Sequence, residues 1–423
     1  MAILVQHNKL PENKSIKRKH QDPNNVNADV MMFNNKKNKK QKKNKQELLV
    51  VKAGDQHPDD VNEDRLTNLP EPIILNILSL LDNHKEVVRT SVLSKSWVSL
   101  WTWIPVLTFD SCGTKLRKFD KIVTKVLGNK SVKLNKLTFN RGGSTSAKIL
   151  NTVFGYAFSN GVKEVEATIN GSRNYAWPDC LHSTSSDSLT HLKLISSNKT
   201  ISCEFLGQRS AGLFKNLTNL YLQNASILDP DPFSGFPALE KLTLYECWFK
   251  RTLNVRASQL SALTINDQND CCTLDRCQLL TPKLRVFKFQ SFSTIPVFVT
   301  PQALPVLDEF VFDHRGSSSS LNEKQTFHRA ISIMQTFHNA KSLTISESII
   351  ELLSNFSKKM VTQCSPFWGL KFLKLDQDVF DEIPSEVIDY LLQCSVDAKV
   401  SRVKLYKGIS ARKCKKRCYR CYR

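Results

Sequence analysis

The sequence predicts an α/β protein in which a small helical module near the N-terminus is followed by an irregular solenoid with a parallel sheet. Three observations carry this prediction. The stretch from Asp64 to Trp101 repeats apolar residues at helical spacing. From about residue 130, an L-x-x-L-x-L pattern recurs roughly every 20–30 residues. Lysine-rich segments with few apolar residues lie outside these two regions.

The first segment, residues 1–63, is predicted to be a disordered basic arm because it lacks the apolar residues that would stabilise a fold. Its lysine clusters are typical of nuclear-import signals, and the residues that would act in this way are Lys17, Arg18, Lys19, Lys36, Lys37, Lys39, Lys40, Lys42 and Lys43. Loose contact with RNA or DNA phosphates and a solvated tail without specific function are the alternatives.

The helical module begins where Pro70 suits the first position of a helix, since its fixed φ matches and its missing N–H needs no partner. One face of that helix carries Ile73, Ile77, Leu80 and Leu81, and a second carries Ile74 and Leu78. A second short helix is indicated by Val87, Val88, Val92 and Leu93. A third, which Ser94 can cap, would carry Trp97, Leu100 and Trp101.

A unit this small cannot bury two apolar faces by itself, and a large exposed apolar patch is typical of a binding surface. A docking module is therefore one interpretation of these residues. The other is an ordinary helical hairpin packed on the following domain.

The module resembles an F-box of the type found in plant F-box/leucine-rich-repeat proteins. The resemblance is carried by Leu69-Pro70, Ile73, Ile77-Leu78-Ser79, Leu81, Arg89 to Lys95, Trp97 and Leu100-Trp101, and it departs at Ser96 and Val98, where basic residues are usual. It implies a three-helix F-box over residues 64–104 that binds the Skp-family adaptor of a cullin–RING ubiquitin ligase. The residues expected to fold or dock the module are Leu69, Pro70, Ile73, Ile77, Leu78, Val92, Leu93 and Trp97.

The repeats of the solenoid predict one short strand each, with the Leu positions pointing into a continuous core that neighbouring repeats complete. A first strand is expected at Val106–Phe109, and residues 105–400 are assigned to the solenoid. The template positions are Leu134/Leu137/Phe139, Val162/Val165/Ala167, Leu189/Leu192/Leu194, Leu217/Leu220/Leu222, Leu239/Leu242/Leu244, Leu260/Leu263/Ile265, Leu284/Phe287/Phe289, Leu307/Phe310/Phe312, Ala340/Leu343/Ile345 and Leu370/Leu373/Leu375.

The turns after these strands are expected to be irregular. Regular leucine-rich repeats place Asn or Cys three residues after the third Leu position, and Cys247 alone of six such positions fits. An unrelated α/β domain whose strands share the pattern is the alternative. The region also resembles the repeat part of plant F-box proteins with an FBD-type end. There, a helix over residues 384–393 is expected to turn five side chains inward: Ile383, Val387, Ile388, Leu391 and Leu392.

Side chains between the Leu positions should face outward in columns across the sheet. The central column of the six clearest strands would be Lys193, Tyr221, Thr243, Thr264, Lys288 and Val311, and its neighbours add two lysine or tyrosine positions, Lys241 and Tyr245. Aromatic anchors among polar groups suit protein recognition. The residues predicted to bind a client protein are therefore Lys193, Tyr221, Thr243, Tyr245 and Lys288.

The placement of charge and the spacing of the cysteines bear on two further functions, nucleic-acid binding and metal binding. Residues 1–45 hold 12 Lys and Arg against 3 Asp and Glu, and residues 412–423 hold 7 against none, so the net charge of +21 lies largely in the tails. A groove that reads nucleic acid would need this charge on the folded part. Cys414, Cys418 and Cys421 have the spacing of an iron–sulfur or zinc site. We predict a basic tail over residues 401–423, with no metal and no cofactor.

No signal peptide or membrane-spanning segment is expected, and no nucleophile or phosphate-loop motif is present. Together with the resemblance to plant F-box/leucine-rich-repeat proteins, this implies a nuclear or cytoplasmic, non-enzymatic substrate-recognition subunit of a Skp–cullin–F-box ubiquitin ligase. Its partners would be the Skp-family adaptor, cullin through that adaptor, and a protein client. The alternative is a nuclear protein that uses its basic tails on RNA or DNA and has a non-ligase F-box.

Overall fold

The computed structural model describes 16 stretches of the chain, all within the compact unit Asp64–Arg423. They are residues 69–81, 84–93, 97, 100–128, 133–170, 181, 185–197, 201–203, 206, 212–267, 274–292, 294–302, 304–315, 323–360, 363–376 and 384–405. The predicted basic arm and most of the predicted basic tail lie outside these residues, and so do the three tail cysteines.

The N-terminal module consists of helices α1 (Glu71–Ser79) and α2 (His84–Arg89) and two 3-10 turns, Thr90–Val92 and Leu100–Thr102. Pro70 stands directly before α1, and its carbonyl accepts the first helical hydrogen bond from the Ile74 N–H at 3.2 Å. The predicted third helix is described only as the turn Leu100–Thr102. Ser94, its predicted cap, lies outside the described residues.

The described residues contain 18 strands. The first nine are β1 (Val106–Asp110), β2 (Lys136–Ser144), β3 (Glu164–Asn170), β4 (His191–Ser196), β5 (Ile201–Ser202), β6 (Asn219–Gln223), β7 (Ala225–Ile227), β8 (Lys241–Tyr245) and β9 (Trp248–Phe249). The others are β10 (Thr252–Arg256), β11 (Ala262–Asp267), β12 (Arg276–Leu280), β13 (Val286–Ser291), β14 (Val297–Val299), β15 (Glu309–His314), β16 (Ser342–Ile345), β17 (Phe372–Asp376) and β18 (Lys399–Val403).

The main sheet contains 12 of these strands in the order β1-β2-β3-β4-β6-β8-β11-β13-β15-β16-β17-β18. The pairings between these strands are parallel, and the strands follow one another in chain order as a solenoid requires. Each of the ten predicted L-x-x-L-x-L copies coincides with one of them. Their template residues are all buried, from Leu137 at 0% to Leu370 at 4% exposure. The repeat prediction is confirmed.

The connections between main-sheet strands complete the core. In the first repeats, the strands are connected by helices α3 (Leu116–Gly128) and α4 (Ala147–Ser159). In the last repeats, they are connected by α5 (Glu323–Thr336), α6 (Glu347–Asn355), α7 (Ser357–Met360) and α8 (Ser385–Leu392). In the middle repeats, two three-stranded parallel sheets, β5-β7-β9 and β10-β12-β14, take their place. These small sheets were not predicted.

Two separate hydrophobic cores result. The solenoid has one continuous core from Leu107 to Leu391, with a phenylalanine cluster at its centre in which the rings of Phe287 and Phe337 stack 4.3 Å apart. The helical module has its own small core, formed by Ile74, Leu78, Val87, Trp97, Leu100 and Ile104.

The turns differ from the expected template by one residue. Asn224 and Glu246 have φ values of 53° and 51°, and the Asn224 side-chain amide donates to the Ser196 carbonyl at 2.6 Å. Asparagine tolerates this left-handed conformation better than most residues do. The template had pointed to Ala225 and Cys247. The Cys247 thiol nevertheless lies 3.5 Å from the Leu222 carbonyl and stays buried.

The C-terminal end contains the expected helix and one additional strand. In α8, Val387 and Leu391 are buried, Leu392 packs against the core, and Tyr390 is buried as well. Ile383 lies outside the described residues. Strand β18 ends at Val403, three residues beyond the predicted end of the solenoid at residue 400. The domain boundaries themselves remain predictions.

Candidate protein-binding surfaces

Among its described residues, the helical module exposes six large aliphatic side chains, which we call the apolar face. They are Ile73 (48% exposed), Ile77 (39%), Leu80 (76%), Leu81 (39%), Val92 (70%) and Leu93 (54%). Their neighbours Ile74 and Leu78 are 4% and 1% exposed. Of the two helix faces predicted from the spacing, the face with Ile74 and Leu78 is therefore buried in the module, and the other is exposed on its surface.

The structure divides the eight predicted F-box residues between two roles. Ile73, Ile77, Val92 and Leu93 lie on the apolar face, and Pro70 is exposed beside it. Leu69 is half-buried against the module's core. Leu78 and Trp97, which were grouped with the docking residues, are 1% and 3% exposed and form that core instead. Leu80 and Leu81 also lie on the apolar face, as the helical spacing predicted, but they are not among the eight predicted residues.

The side chains of the apolar face are between 39% and 76% exposed. Burying one aliphatic side chain of this size contributes about 1.5–3 kcal/mol. Leaving six of them in water is costly, and such a patch is typical of a site that a partner covers.

The outward side chains of the main sheet form the second surface, the concave face. The strand register aligns Lys193 with Tyr221, Tyr221 with Thr243, Thr243 with Thr264, and Thr264 with Lys288. In a parallel sheet such partners lie about 4.8 Å apart. The predicted central column is thus confirmed as a geometric feature. All five predicted client-binding residues have half-buried side chains on this face.

Ion pairs neutralise most of the charge in the central column. The Lys193 ammonium lies 2.8 Å from Glu166 Oε1 and 5.4 Å from the centre of the Tyr221 ring. The Lys288 ammonium lies 2.9 Å from Glu309 Oε2. Both pairs join adjacent strands, and they neutralise these two lysines.

The Tyr221 phenol acts as a neutral hydrogen-bond group. Its hydroxyl donates to Gln223 Oε1 at 3.1 Å. Burial, followed by the nearby Tyr245, raises the pKa of Tyr221 to about 12. The side chain therefore keeps its proton across the physiological range, and its ring is held in a fixed orientation on the sheet.

A polar network connects the carboxyl ends of the later strands. Asn266 donates to Gln290, the Gln290 amide donates to Asp313 Oδ2 at 2.7 Å, and Arg315 Nε lies 3.0 Å from Asp313 Oδ1. The Arg315 guanidinium also lies 3.7 Å from the Asp376 carboxylate. Because these side chains bind one another, they connect strands of the main sheet, and we do not count them among the client-binding residues.

Metal and membrane functions find no support in the described part of the chain. Across those ranges, no three His, Cys, Asp or Glu side chains are arranged to hold a metal ion. None of the described helices combines the length and apolar character needed to cross a bilayer. The lysine clusters assigned to nuclear import lie outside the described residues and stay a prediction.

Comparison with known families matches both parts of the chain. Residues 66–109 match the F-box domain. Residues 123–376, more than half of the chain, match the family described as "At1g61320/AtMIF1, LRR domain". The two matches cover the helical module and most of the solenoid.

Several plant proteins share this arrangement. F-box/LRR-repeat protein At3g26922 of Arabidopsis thaliana is 28% identical over 304 residues, which are 69% of this chain and 92% of that protein. The chain spans less of other relatives: 62% of FBD-associated F-box protein At3g52670, at 28% identity, and 49% of F-box/FBD/LRR-repeat protein At2g04230, at 31% identity, both from Arabidopsis thaliana. The fold and both matches agree, and the chain belongs to the plant F-box/leucine-rich-repeat family.

Proposed function

We propose that this protein is the substrate-recognition subunit of a Skp–cullin–F-box ubiquitin ligase. The apolar face would bind the Skp-family adaptor and, through it, cullin. The concave face would hold a protein client. The observation that carries the proposal is the apolar face itself, because a module that already has its own core still exposes six aliphatic side chains.

The proposed mechanism is proximity. The subunit forms no bond itself, and F-box/leucine-rich-repeat proteins are in general non-catalytic adaptors. Holding a client on the same scaffold as the ubiquitin-charged enzyme raises the effective concentration of the client's lysines. A continuous parallel sheet over one core favours this role, because it presents the client-facing side chains on a single ordered surface.

The test is adaptor binding by two matched variants of the full chain. Ile77 on the apolar face and Ile122 on solenoid helix α3 are the same residue type, 39% and 38% exposed. We expect Ile77→Asp to weaken binding of a purified Skp-family adaptor at least about tenfold, or ~1.4 kcal/mol, because a carboxylate would be buried against apolar groups. Ile122→Asp should leave the affinity unchanged. Titration calorimetry measures both.

Equal affinities for the two variants would remove the apolar face from the adaptor contact. If neither the parent chain nor the variants bind the adaptor, and the chain instead binds RNA or DNA through residues 1–45, the nucleic-acid alternative replaces the ligase proposal.

A further inference from the structure

Three strands of the concave face form an almost uncharged window. Strands β6, β8 and β11 present nine outward side chains between the ion pairs of Lys193 and Lys288: Asn219, Tyr221, Gln223, Lys241, Thr243, Tyr245, Ala262, Thr264 and Asn266. One of the nine is charged, and none is an arginine. The window spans about 10 Å across the strands and about 13 Å along them, which fits an extended segment of about three or four residues.

The one charge in the window belongs to Lys241. The other two lysines of the predicted columns are neutralised, Lys193 by Glu166 at 2.8 Å and Lys288 by Glu309 at 2.9 Å. Lys241 is exposed, and within the described ranges it has no acidic partner. Its cross-strand neighbours are the short, uncharged Asn219 and Ala262, so an approaching ligand can reach its ammonium group.

The groups beside Lys241 can hold an uncharged backbone. In the described structure, the hydroxyls of Thr243 and Thr264 make no hydrogen bond, and these residues adjoin in the register. Tyr221 and Tyr245 supply apolar ring surface on adjacent strands, two residues apart in the register. A basic residue of a ligand would be repelled by Lys241, and the acids of the bordering ion pairs, Glu166 and Glu309, are already paired. Glu246, the remaining acid beside Tyr221 and Tyr245, is half-buried and lies beyond the opposite end of β8 from Lys241.

We infer that this window binds an extended client segment carrying one side-chain carboxylate, which pairs with Lys241, beside uncharged residues that lie over the two tyrosines. The inference deepens the proposed function and rests on it. A carboxylate is favoured over a phosphate because a phosphoryl group carries about two negative charges and is usually bound by clustered arginines.

The test selects a random-peptide display library on immobilised full-length chain. The parent chain should enrich peptides with one Asp or Glu and few Lys or Arg. Lys241→Glu should reverse this preference toward Lys or Arg, and Lys241→Met should abolish it. The matched control is Lys374→Glu. Lys374 is an outward lysine on β17, aligned with Thr344 beyond the Lys288–Glu309 pair, and its replacement should leave the preference intact.

Affinity measurements on one enriched peptide complete the test. Binding of an acidic peptide should fall about three- to tenfold with Lys241→Glu, as expected for loss and reversal of an exposed charge pair, and replacing the peptide's carboxylate by an amide should reproduce most of this loss. Unaltered peptide preferences in Lys241→Glu, reversal by Lys374→Glu as well, or no enrichment by the parent chain would each overturn the inference. Adaptor binding, measured in parallel, reports on the proposed function separately.

Discussion

Ile77 and Leu78 show how single residues divide the two tasks of the F-box. They are adjacent in α1, yet successive helical residues point about 100° apart. Ile77 is therefore 39% exposed on the apolar face, and Leu78 is 1% exposed in the core with Trp97 and Ile104. The family motif marks both positions equally. Only the packing separates the residue that would contact a partner from the residue that holds the module together.

Alanine substitution should separate these roles in experiment. We expect Leu78→Ala to destabilise the module by about 2–4 kcal/mol, because it leaves a cavity in a core of six side chains. Ile77→Ala should change its stability by less than about 1 kcal/mol. Hydrogen exchange of the α1 amides measures both effects. The assignment fails if the two variants exchange at the same rate.

At the scale of elements, the polar edge of β2 illustrates a contact that links a helix to the sheet. Arg141 lies at the carboxyl end of β2 and is 5% exposed. Its guanidinium binds Asp120 of α3 through two hydrogen bonds of 2.8 and 2.9 Å and also donates to the Ser144 carbonyl. The pair of Lys136, also on β2, and Glu164 of β3, 3.6 Å apart, is far more exposed, with side chains 42% and 44% accessible.

Removing Arg141 should therefore cost far more than removing Lys136. Arg141→Ala leaves the Asp120 carboxylate and the Gly142 and Ser144 carbonyls without their donor. We expect a loss of about 2–4 kcal/mol, reduced from the fully buried case because Asp120 is 28% exposed. Lys136→Ala should cost less than about 1 kcal/mol. Chemical denaturation of the two variants compares them, and similar midpoints would contradict the assigned role.

The sequence predicted most main-sheet strands because they repeat one template, and strands such as β4, β6, β11 and β13 also alternate buried and outward residues. Strand β16, which is buried throughout, was found through the template alone. The same reasoning missed β10 (Thr252–Arg256) and β12 (Arg276–Leu280), although Leu253, Val255, Cys277 and Leu279 are buried in alternation. They lack a repeated template, so no second copy reinforces the pattern. Strand β18 was missed because Val400 and Arg402, which align with Leu373 and Leu375, replace the usual leucines.

At the scale of the whole molecule, the separation of the two cores determines whether a destabilising substitution in one part affects the other. The solenoid core runs without a break from Leu107 to Leu391, whereas the F-box core contains six residues of its own. Among the described residues, contact between the parts includes the first strand, where Val106 packs against the F-box core and α2 lies beside β1. A defect in the middle repeats should therefore leave the apolar face unaffected.

A substitution at Phe287 tests whether the solenoid core and the F-box core are independent. Its ring contacts those of Phe337, Phe298 and Phe310 at 4.3, 5.3 and 5.8 Å, and the side chain is fully buried. We expect Phe287→Ala to destabilise the solenoid by about 3–5 kcal/mol. The affinity for the adaptor should stay within about twofold of the parent chain, because the variant changes neither the F-box core nor the apolar face. Thermal unfolding and adaptor titration of the same sample give both values. A parallel loss of stability and adaptor affinity would mean that the two cores unfold together, and the solenoid would then act as a support for the F-box as well as the surface for a client.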